Sequence, residues 1–460
     1  MSNMGEEERS DPVRLDGRKL EGGGQLVRIA VALSALTGKA VIIDHVRGNR
    51  SGKRGLKASH LAAIKVLGEL SGSTLVNAQV GSCSVGFYPP PQEQVRARQT
   101  SSDINIRLPT PGSVFLVFQA LYPYLLYSYS ADQVRLSIVG GTNVSSSPSY
   151  DYVSQVLIPN FARVGLPPIS VRLEKRGWAS CQGHLGKVVF VIDTLRRRRG
   201  GASSHGDLSI DLHRCRRGKI SKIDITVLAP DDHLVTDTAG TTESGSSKRG
   251  FWGDAAAQLG ENKKPETVRE FMERHVHAIL RRRLEGLPRD VFVRSPFESA
   301  GLERRPHVIP IETHTTEATH RRSCLYVLIV AHTSTGFKIG RDALHGSIGE
   351  QPRTKRRQNK QEDLRERVER LVDNCVERLI RELYDPLPQS QPSTPEPPRH
   401  RPCVDEFMRD QLVIFEALGR ASNDEDHREC ESLEDEKYWS LHTKTAQWVC
   451  RELLGQSSIR

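Results

Sequence analysis

Apolar positions alternate between helical and strand spacing from the start of the chain. From Leu26 to Leu36 they recur every three to four residues and predict a helix, and Val41–Asp44 is a short run suited to a buried strand. Helical spacing returns from Leu61 to Leu70, and Thr74 to Tyr88 reads as a pair of strands. The same order then recurs. Ile104–Ile106 predicts a strand, Ser113–Tyr127 an apolar helix, Val134–Val139 a strand, Tyr152–Val164 a helix and Ile169–Glu174 a strand. A third, longer copy is expected from the buried run Cys324–His332, then Phe337–Gly340, a helix over Glu362–Leu383 and another over Asp405–Leu418. In the first of these helices Leu364, Val368, Leu371, Val372, Cys375, Leu379 and Leu383 fall on one face. The repeat is one of elements rather than of residues.

The region from about Lys187 to Val308 differs, with a strand at Ile220–Val227 and an amphipathic helix at Pro265–Leu284, and reads as a small inserted domain. These patterns divide the chain into a disordered tail (1–13), two units (14–186), the insert (187–308) and a last unit (309–460). Gly/Ser/Thr-rich stretches at 200–206 and 236–264 read as loops, and the Pro-rich stretch 389–401 as an extended linker.

Composition adjusts this picture. A hydrophobic content of 37% over 460 residues allows real cores but requires long polar excursions. The net charge of +10 suits a polyanionic partner such as nucleic acid. The eight cysteines show no CxxC pair, so free thiols in a reducing compartment are expected, and Cys181 with His184 lacks the second pair a zinc site needs. The polar start is unlike a signal peptide and no apolar run approaches a membrane span, which predicts an intracellular protein that does not cross a membrane. The basic runs Arg196–Arg199 and Lys355–Arg357 read as nuclear localisation signals, RNA contacts or solvated loop charge, and on them rests an expectation of nuclear residence, with the cytoplasm as a second site.

The chemistry concentrates between Asp16 and Leu56. Gly22, Gly23 and Gly24 let backbone N–H groups approach a ligand closely, and the helix that follows offers its N-terminus to an anion. Arg28, Arg47 and Arg50 add permanently charged, forked donors. Glu21 is an acceptor among these cations, suited either to a metal that bridges phosphate oxygens or to neutralising an arginine. Gly48, Gly52 and Lys53 echo a Walker A loop, but the spacing is short and Arg54 stands where Ser or Thr would hold magnesium. His314 and His320, six apart in a polar stretch, are expected to bind nothing.

The blocks LDGRKLEGGGQLVRIAVALSALTGK, VRGNR, GLKASHLAAIKVL, PGSVFLVFQALYP, GGTNVSSSPSYDY, DEFMRDQL and SLHTKTAQW, in this order from Leu15 to about Leu454, resemble RNA 3′-terminal phosphate cyclases. The resemblance implies an α/β fold of three βαβαββ units, as also seen in enolpyruvate transferases, with a small α/β domain inserted before the third. It implies an enzyme of the ligase class that uses ATP, with Mg2+ or Mn2+, to turn an RNA 3′-phosphate end into a 2′,3′-cyclic phosphate, releasing AMP and pyrophosphate. The family's nucleophile towards ATP falls on His442. Gln119, Asp410 and Gln411 match nucleotide contacts, Phe407 stands where the family has His or Tyr beside the adenine, and Pro148 matches the ring's other face. Glu21, Arg28, Arg47 and Arg50 match the metal and phosphate cluster, and His60 falls on a further family position. The alternative is a non-catalytic, cyclase-like factor in ribosome biogenesis or pre-rRNA processing, a branch that keeps the fold without the histidine.

Overall fold

A computed structural model describes residues 11–50, 52–91, 102–179, 184–195, 208, 210–212, 215–234, 265–293, 309–345, 363–384, 402–422 and 438–455. The loops expected at 200–206 and 236–264, the linker 389–401 and both basic runs fall largely or wholly outside these residues.

Two βαβαββ units stand side by side. The first runs β1 (Val13–Asp16), α1 (Gly24–Thr37), β2 (Val41–Asp44), α2 (Ala58–Ser71), β3 (Thr74–Val76) and β4 (Val85–Tyr88). Its sheet has the order β1-β2-β4-β3, with β1 and β2 parallel and the other pairs antiparallel. The second runs β5 (Asp103–Arg107), α3 (Val114–Tyr127), β6 (Gln133–Gly140), α4, β7 (Ile169–Lys175) and β8 (Gly186–Asp193), where α4 joins Tyr150–Tyr152 and Ile158–Arg163 through a π-helical turn at Val153–Leu157. Its sheet, β5-β6-β8-β7, repeats the same order and senses.

Helix α1 is buried from Gln25 to Ser34 without a break, which explains its lack of a polar face. It ends where Gly38 adopts φ 76° and donates its N–H to the Ser34 carbonyl. Helix α3 begins at Ser113, whose hydroxyl accepts from the Leu116 N–H, and continues through Pro123 because packing encloses nearly every side chain.

The third sheet corrects the expected division of the chain. β9 (Ile220–Pro230) pairs parallel with β10 (Ile311–Thr319) and antiparallel with β11 (Tyr326–Thr333), which in turn pairs with β12 (Lys338–Leu344). A boundary at 308/309 would cut this sheet through its middle. Helices α5 (Val268–Glu285) and α6 (Leu364–Leu383) pack against it and against each other, giving a small α/β domain from 220 to 383 with its own core. A boundary at 187 is likewise too early, since β8 completes the second sheet. The elements expected in a third copy, Cys324–His332, Phe337–Gly340 and the helix ending at Leu383, therefore belong to the insert. What remains of the last unit among the described residues is α7 (Glu406–Ser422) and α8 (Leu441–Leu454), which pack on α1 and α3 in the main core.

The fold class is thus α/β, with three small mixed sheets and an inserted domain. Among the described residues no helix is long and apolar enough to cross a membrane. Cys83, Cys215, Cys375, Cys403 and Cys450 are free thiols as expected, whereas Cys324 is disulfide-bonded. His314 lies within strand β10 rather than in a loop, its Nδ1 2.8 Å from the Thr315 hydroxyl.

The insert and the main body meet at Asp405, which is fully buried. Its Oδ1 accepts from the Tyr152 hydroxyl at 2.7 Å and from the N–H groups of Phe407 and Met408 at 3.1 and 3.0 Å, and its Oδ2 accepts from the Gly340 N–H at 2.8 Å. Replacing Asp405 with Ala removes a helix cap and strands four donors, three of them buried, so urea denaturation is expected to show a loss of roughly 3 kcal/mol. A loss below about 0.5 kcal/mol, the scale of an ordinary surface change, would remove the carboxylate from this role.

Candidate functional site

The turn between β1 and α1 is shaped by three glycines, each for a different reason. Gly22 takes φ +59°, and a Cβ there would collide with the Gly17 carbonyl. A Cβ at Gly23 would collide with the Glu21 carboxylate, and one at Gly24 with His60 Nε2. The turn thus folds the Glu21 side chain back over the start of α1 and brings His60, from α2, against the same point. Gly23 is the N-cap of α1 and supplies no side-chain acceptor, so the first-turn N–H groups meet the site with their positive dipole end.

Cations surround this helix start. Arg28, one turn into α1, is buried; its Nε donates to Gln119 Oε1 at 2.7 Å and its Nη2 to Gln25 Oε1 at 3.3 Å. Burial lowers its pKa to about 10, with nearby Asp410 opposing, so it stays charged at neutral pH. Arg47 sits at φ +59° in the turn after β2 and donates to the Lys53 carbonyl at 2.5 Å. Arg50 is ion-paired with Glu21. Lys57, immediately before α2, has its pKa lowered by burial and then by Arg47, Arg50 and Arg28. It is a fourth member of the cluster that the sequence reading missed; its signal was a basic residue at the start of α2, one turn from His60.

His60 is buried and held neutral: burial first, then Arg28, Lys57 and Arg47, depress its pKa to about 3. Its Nδ1 accepts the Lys57 N–H at 3.3 Å, which assigns the proton to Nε2, the atom beside Gly24. A neutral N–H donor is thereby added to the helix N-terminus.

The opposite wall comes from α7 and α8. Asp410 is buried on α7, accepts from Gln411 Nε2 at 2.5 Å, and its backbone carbonyl accepts from Gln25 Nε2 at 3.4 Å. Burial pushes its carboxyl up to about 7 against the opposing pull of His442, Gln411 and Arg28. His442 lies at the first turn of α8, where Ser440 caps the helix by accepting the Thr443 N–H at 3.0 Å. Its side chain is 44% exposed and its Nδ1 is 3.3 Å from Glu21 Oε2, an ion-pair distance without hydrogen-bond alignment. Burial lowers its pKa, Asp410 opposes, and Arg28 and Arg50 add to the lowering. Glu21 also ties the two walls together through its backbone N–H, which donates to Thr445 Oγ1 on α8 at 3.2 Å.

Glu21, Arg28, Arg47, Arg50, Gln119, Asp410, Gln411 and His442 therefore share one neighbourhood. Pro148 joins Gln119, Asp410 and Gln411 on a narrow crevice between α3, α4 and α7. Phe407 lines a wider neighbouring cleft, with the Arg341 guanidinium 4.6 Å from its ring centre and Tyr152 meeting it edge-on at 6.3 Å.

Among the described residues no three His, Cys, Asp or Glu side chains converge as a metal cage. Both Glu21 carboxylate oxygens are buried and lack hydrogen-bond geometry, but Oε1 is ion-paired with Arg50 and Oε2 lies 3.3 Å from His442 Nδ1. The arrangement can bind an anion with several phosphate groups on one wall while presenting an accessible, neutral imidazole from the other.

The chain is similar in sequence to proteins of known name. The chain is 38% identical over 165 residues to the RNA 3′-terminal phosphate cyclase of Desulfurococcus amylolyticus, covering 36% of this chain and 43% of that protein. It is 38% identical over 168 residues to that of Methylococcus capsulatus, covering 36% and 45%. With the Korarchaeum cryptofilum protein of the same name it shares 30% identity over 271 residues, 56% of this chain and 75% of that one. The first two alignments span somewhat under half of the relatives they match. The family model described as RNA 3′-terminal phosphate cyclase matches residues 19–458, and the chain belongs to that family.

Proposed function

We propose that the protein cyclises the 3′-phosphate end of RNA to a 2′,3′-cyclic phosphate, with ATP converted to AMP and pyrophosphate through a covalent bond between His442 and AMP. The observation that carries this reading is the half-exposed His442 imidazole, its Nδ1 3.3 Å from Glu21, at the rim of the Arg28, Arg47, Arg50 and Lys57 cluster. With Nδ1 turned to the carboxylate, Nε2 is the free nucleophile. It forms a bond to the α-phosphorus of ATP while the bond to pyrophosphate breaks, and the four cations hold the charge leaving on the phosphate oxygens.

A terminal 3′-phosphate oxygen of RNA then takes the adenylyl group and the N–P bond breaks. The neighbouring 2′-hydroxyl attacks the activated phosphorus, loses its proton and displaces AMP, a ring closure favoured by proximity. Glu21, the one carboxylate here and ion-paired with Arg50, would hold a divalent cation, Mg2+ or Mn2+, together with the nucleotide. When bound, such an ion supplies further neutralisation of phosphate charge. The curated relatives bearing the name RNA 3′-terminal phosphate cyclase support the substrate class. The basic runs at 196–199 and 355–357 support nuclear residence as part of the same reading.

Incubation with ATP labelled at the α-phosphate is expected to leave covalent AMP on the wild type and none on His442→Ala. Equal label on both would displace the nucleophile elsewhere, and label on neither would favour the non-catalytic alternative.

As the N–P bond forms, the His442 ring gains positive charge, which ionised Asp410 stabilises. Because the Asp410 carboxyl is pushed up to about 7, that help is present above this pH and is lost as pH falls through it. The rate of label formation should have an acid limb near pH 7, and Asp410→Asn should move that limb below the ordinary histidine range and slow the plateau about tenfold. An unmoved limb would assign it to another group. Lys57→Ala should slow adenylylation by roughly 10- to 100-fold with little change in thermal unfolding. An unchanged rate would leave Lys57 as solvated surface charge.

A further inference from the structure

A second, larger concavity adjoins the site. It opens between α6 of the small domain and the start of α7 and α8, has a cavity volume of about 600 Å³, and reaches Ser440, two residues before His442. Its charged lining comprises five arginines, at 217, 341, 378, 381 and 409, against two acids, Glu382 and Glu406.

The arginines divide into two groups. Arg217, Arg341 and Arg409 act in the framework: Arg217 donates to the Pro402 and Glu382 carbonyls and pairs with Glu382, Arg341 pairs with Glu382 and Glu406, and Arg409 Nη1 donates to Glu416 at 2.7 Å. Arg378 and Arg381 are exposed one turn apart on the α6 face, and Arg381 pairs with Glu377 one turn back at 3.1 Å.

Aromatic groups lie opposite this charge. Phe407, Tyr438 and Trp439 line the cleft, and Phe407 is an exposed ring with the Arg341 guanidinium set over it. Two buried donors in the lining have no hydrogen-bond partner among the described residues, Arg341 Nη1 and Trp439 Nε1; Arg341 is itself only 5% exposed. Orphaned donors this deeply placed indicate an acceptor-rich occupant.

We infer that this cleft receives the single-stranded RNA leading to the reacting 3′ end, with bases stacked on Trp439 and Phe407 and backbone phosphates against Arg378 and Arg381. Partly exposed aromatic rings beside a positive rim are features that bind single strands without sequence preference. The path ends at Ser440, so a strand lying in it delivers its terminus to His442. The inference rests on the proposed cyclase reading for the identity of that terminus, but strand binding is measurable without any turnover.

The test uses the full chain and a ten-nucleotide RNA, fluorescent at its 5′ end and phosphorylated at its 3′ end, read by anisotropy across a salt series. Arg378→Ala/Arg381→Ala, a change confined to exposed positions, is expected to weaken binding about tenfold or more and to lower the salt slope by about two. Trp439→Ala is expected to weaken it about tenfold with little change in slope. Covalent labelling from ATP should be unchanged in the double arginine variant.

Unchanged RNA binding in both variants would overturn the inference, as would wild-type protein that fails to bind the RNA at all. So would a loss of ATP affinity with RNA affinity intact, which would give the cleft to the nucleotide. Absence of AMP labelling throughout, with RNA binding weakened as described, would instead strike the cyclase reading and leave the cleft assignment standing.

Discussion

The site depends on one buried carboxylate. Asp405 caps α7 through the N–H groups of Phe407 and Met408, and the same two oxygens hold Tyr152 of the second unit and Gly340 of the small domain. Burial pushes its pKa up, the expected consequence of removing a carboxylate from water, and Arg341 and its hydrogen-bond donors oppose that rise. Such a group adds little net stability compared with an apolar replacement, but it is costly to leave half-satisfied, so it selects one arrangement of three elements. Parallel ties run along the same seam. Ser149 shares a hydrogen bond with the Tyr326 hydroxyl, which also donates to Asp342, and Arg176 bridges Asp151 and Glu317. The seam between the second unit and the insert is therefore held by directional contacts, and these fix the angle at which α7 presents Asp410 and Gln411.

The opposite wall works by unfavourable electrostatics held in place by packing. Four cations gather at one helix N-terminus with Glu21 and Asp410 as the nearby acids, so the ligand-free site is richer in positive charge than its neighbours neutralise. Buried Arg28 loses some of its hold on its proton, and His60 loses nearly all of its own. A polyphosphate relieves each of these strains at once. Sites that must bind transition-state charge are commonly less stable than the rest of the fold for this reason.

Much of this was legible locally. The period of apolar residues places α1, α3 and α6, and the helical face read from Val368 to Leu383 is buried as expected, because a helix's buried stripe is set by residues three and four apart. The glycine turn and the arginines at 28, 47 and 50 could be read because phosphate chemistry needs those residue types close together in the chain. The division at 308/309 could not. Strand β9 pairs with β10 across more than eighty residues, and a strand's own pattern carries nothing about which partner it takes. Asp405 and Lys57 were missed for a related reason: each is one ordinary polar residue whose meaning comes from elements distant in sequence.

Two histidines face the same phosphate-binding turn, and electrostatics distinguishes them for the proposed reaction. A ring nitrogen that attacks phosphorus becomes, for that step, a cation. At His60 this charge would develop in a buried setting beside Arg28, Lys57 and Arg47, the very groups that already depress its pKa to about 3. Its Nδ1 is also engaged with the Lys57 N–H, leaving Nε2 as the protonated nitrogen without a lone pair to offer. At His442 the charge would develop on a half-exposed ring, where Asp410 favours it, Arg28 and Arg50 oppose it, and the Glu21 carboxylate lies 3.3 Å from Nδ1. On these grounds His442 suits the nucleophile of the proposed reaction better than His60, whose protonated Nε2 suits a donor to phosphate.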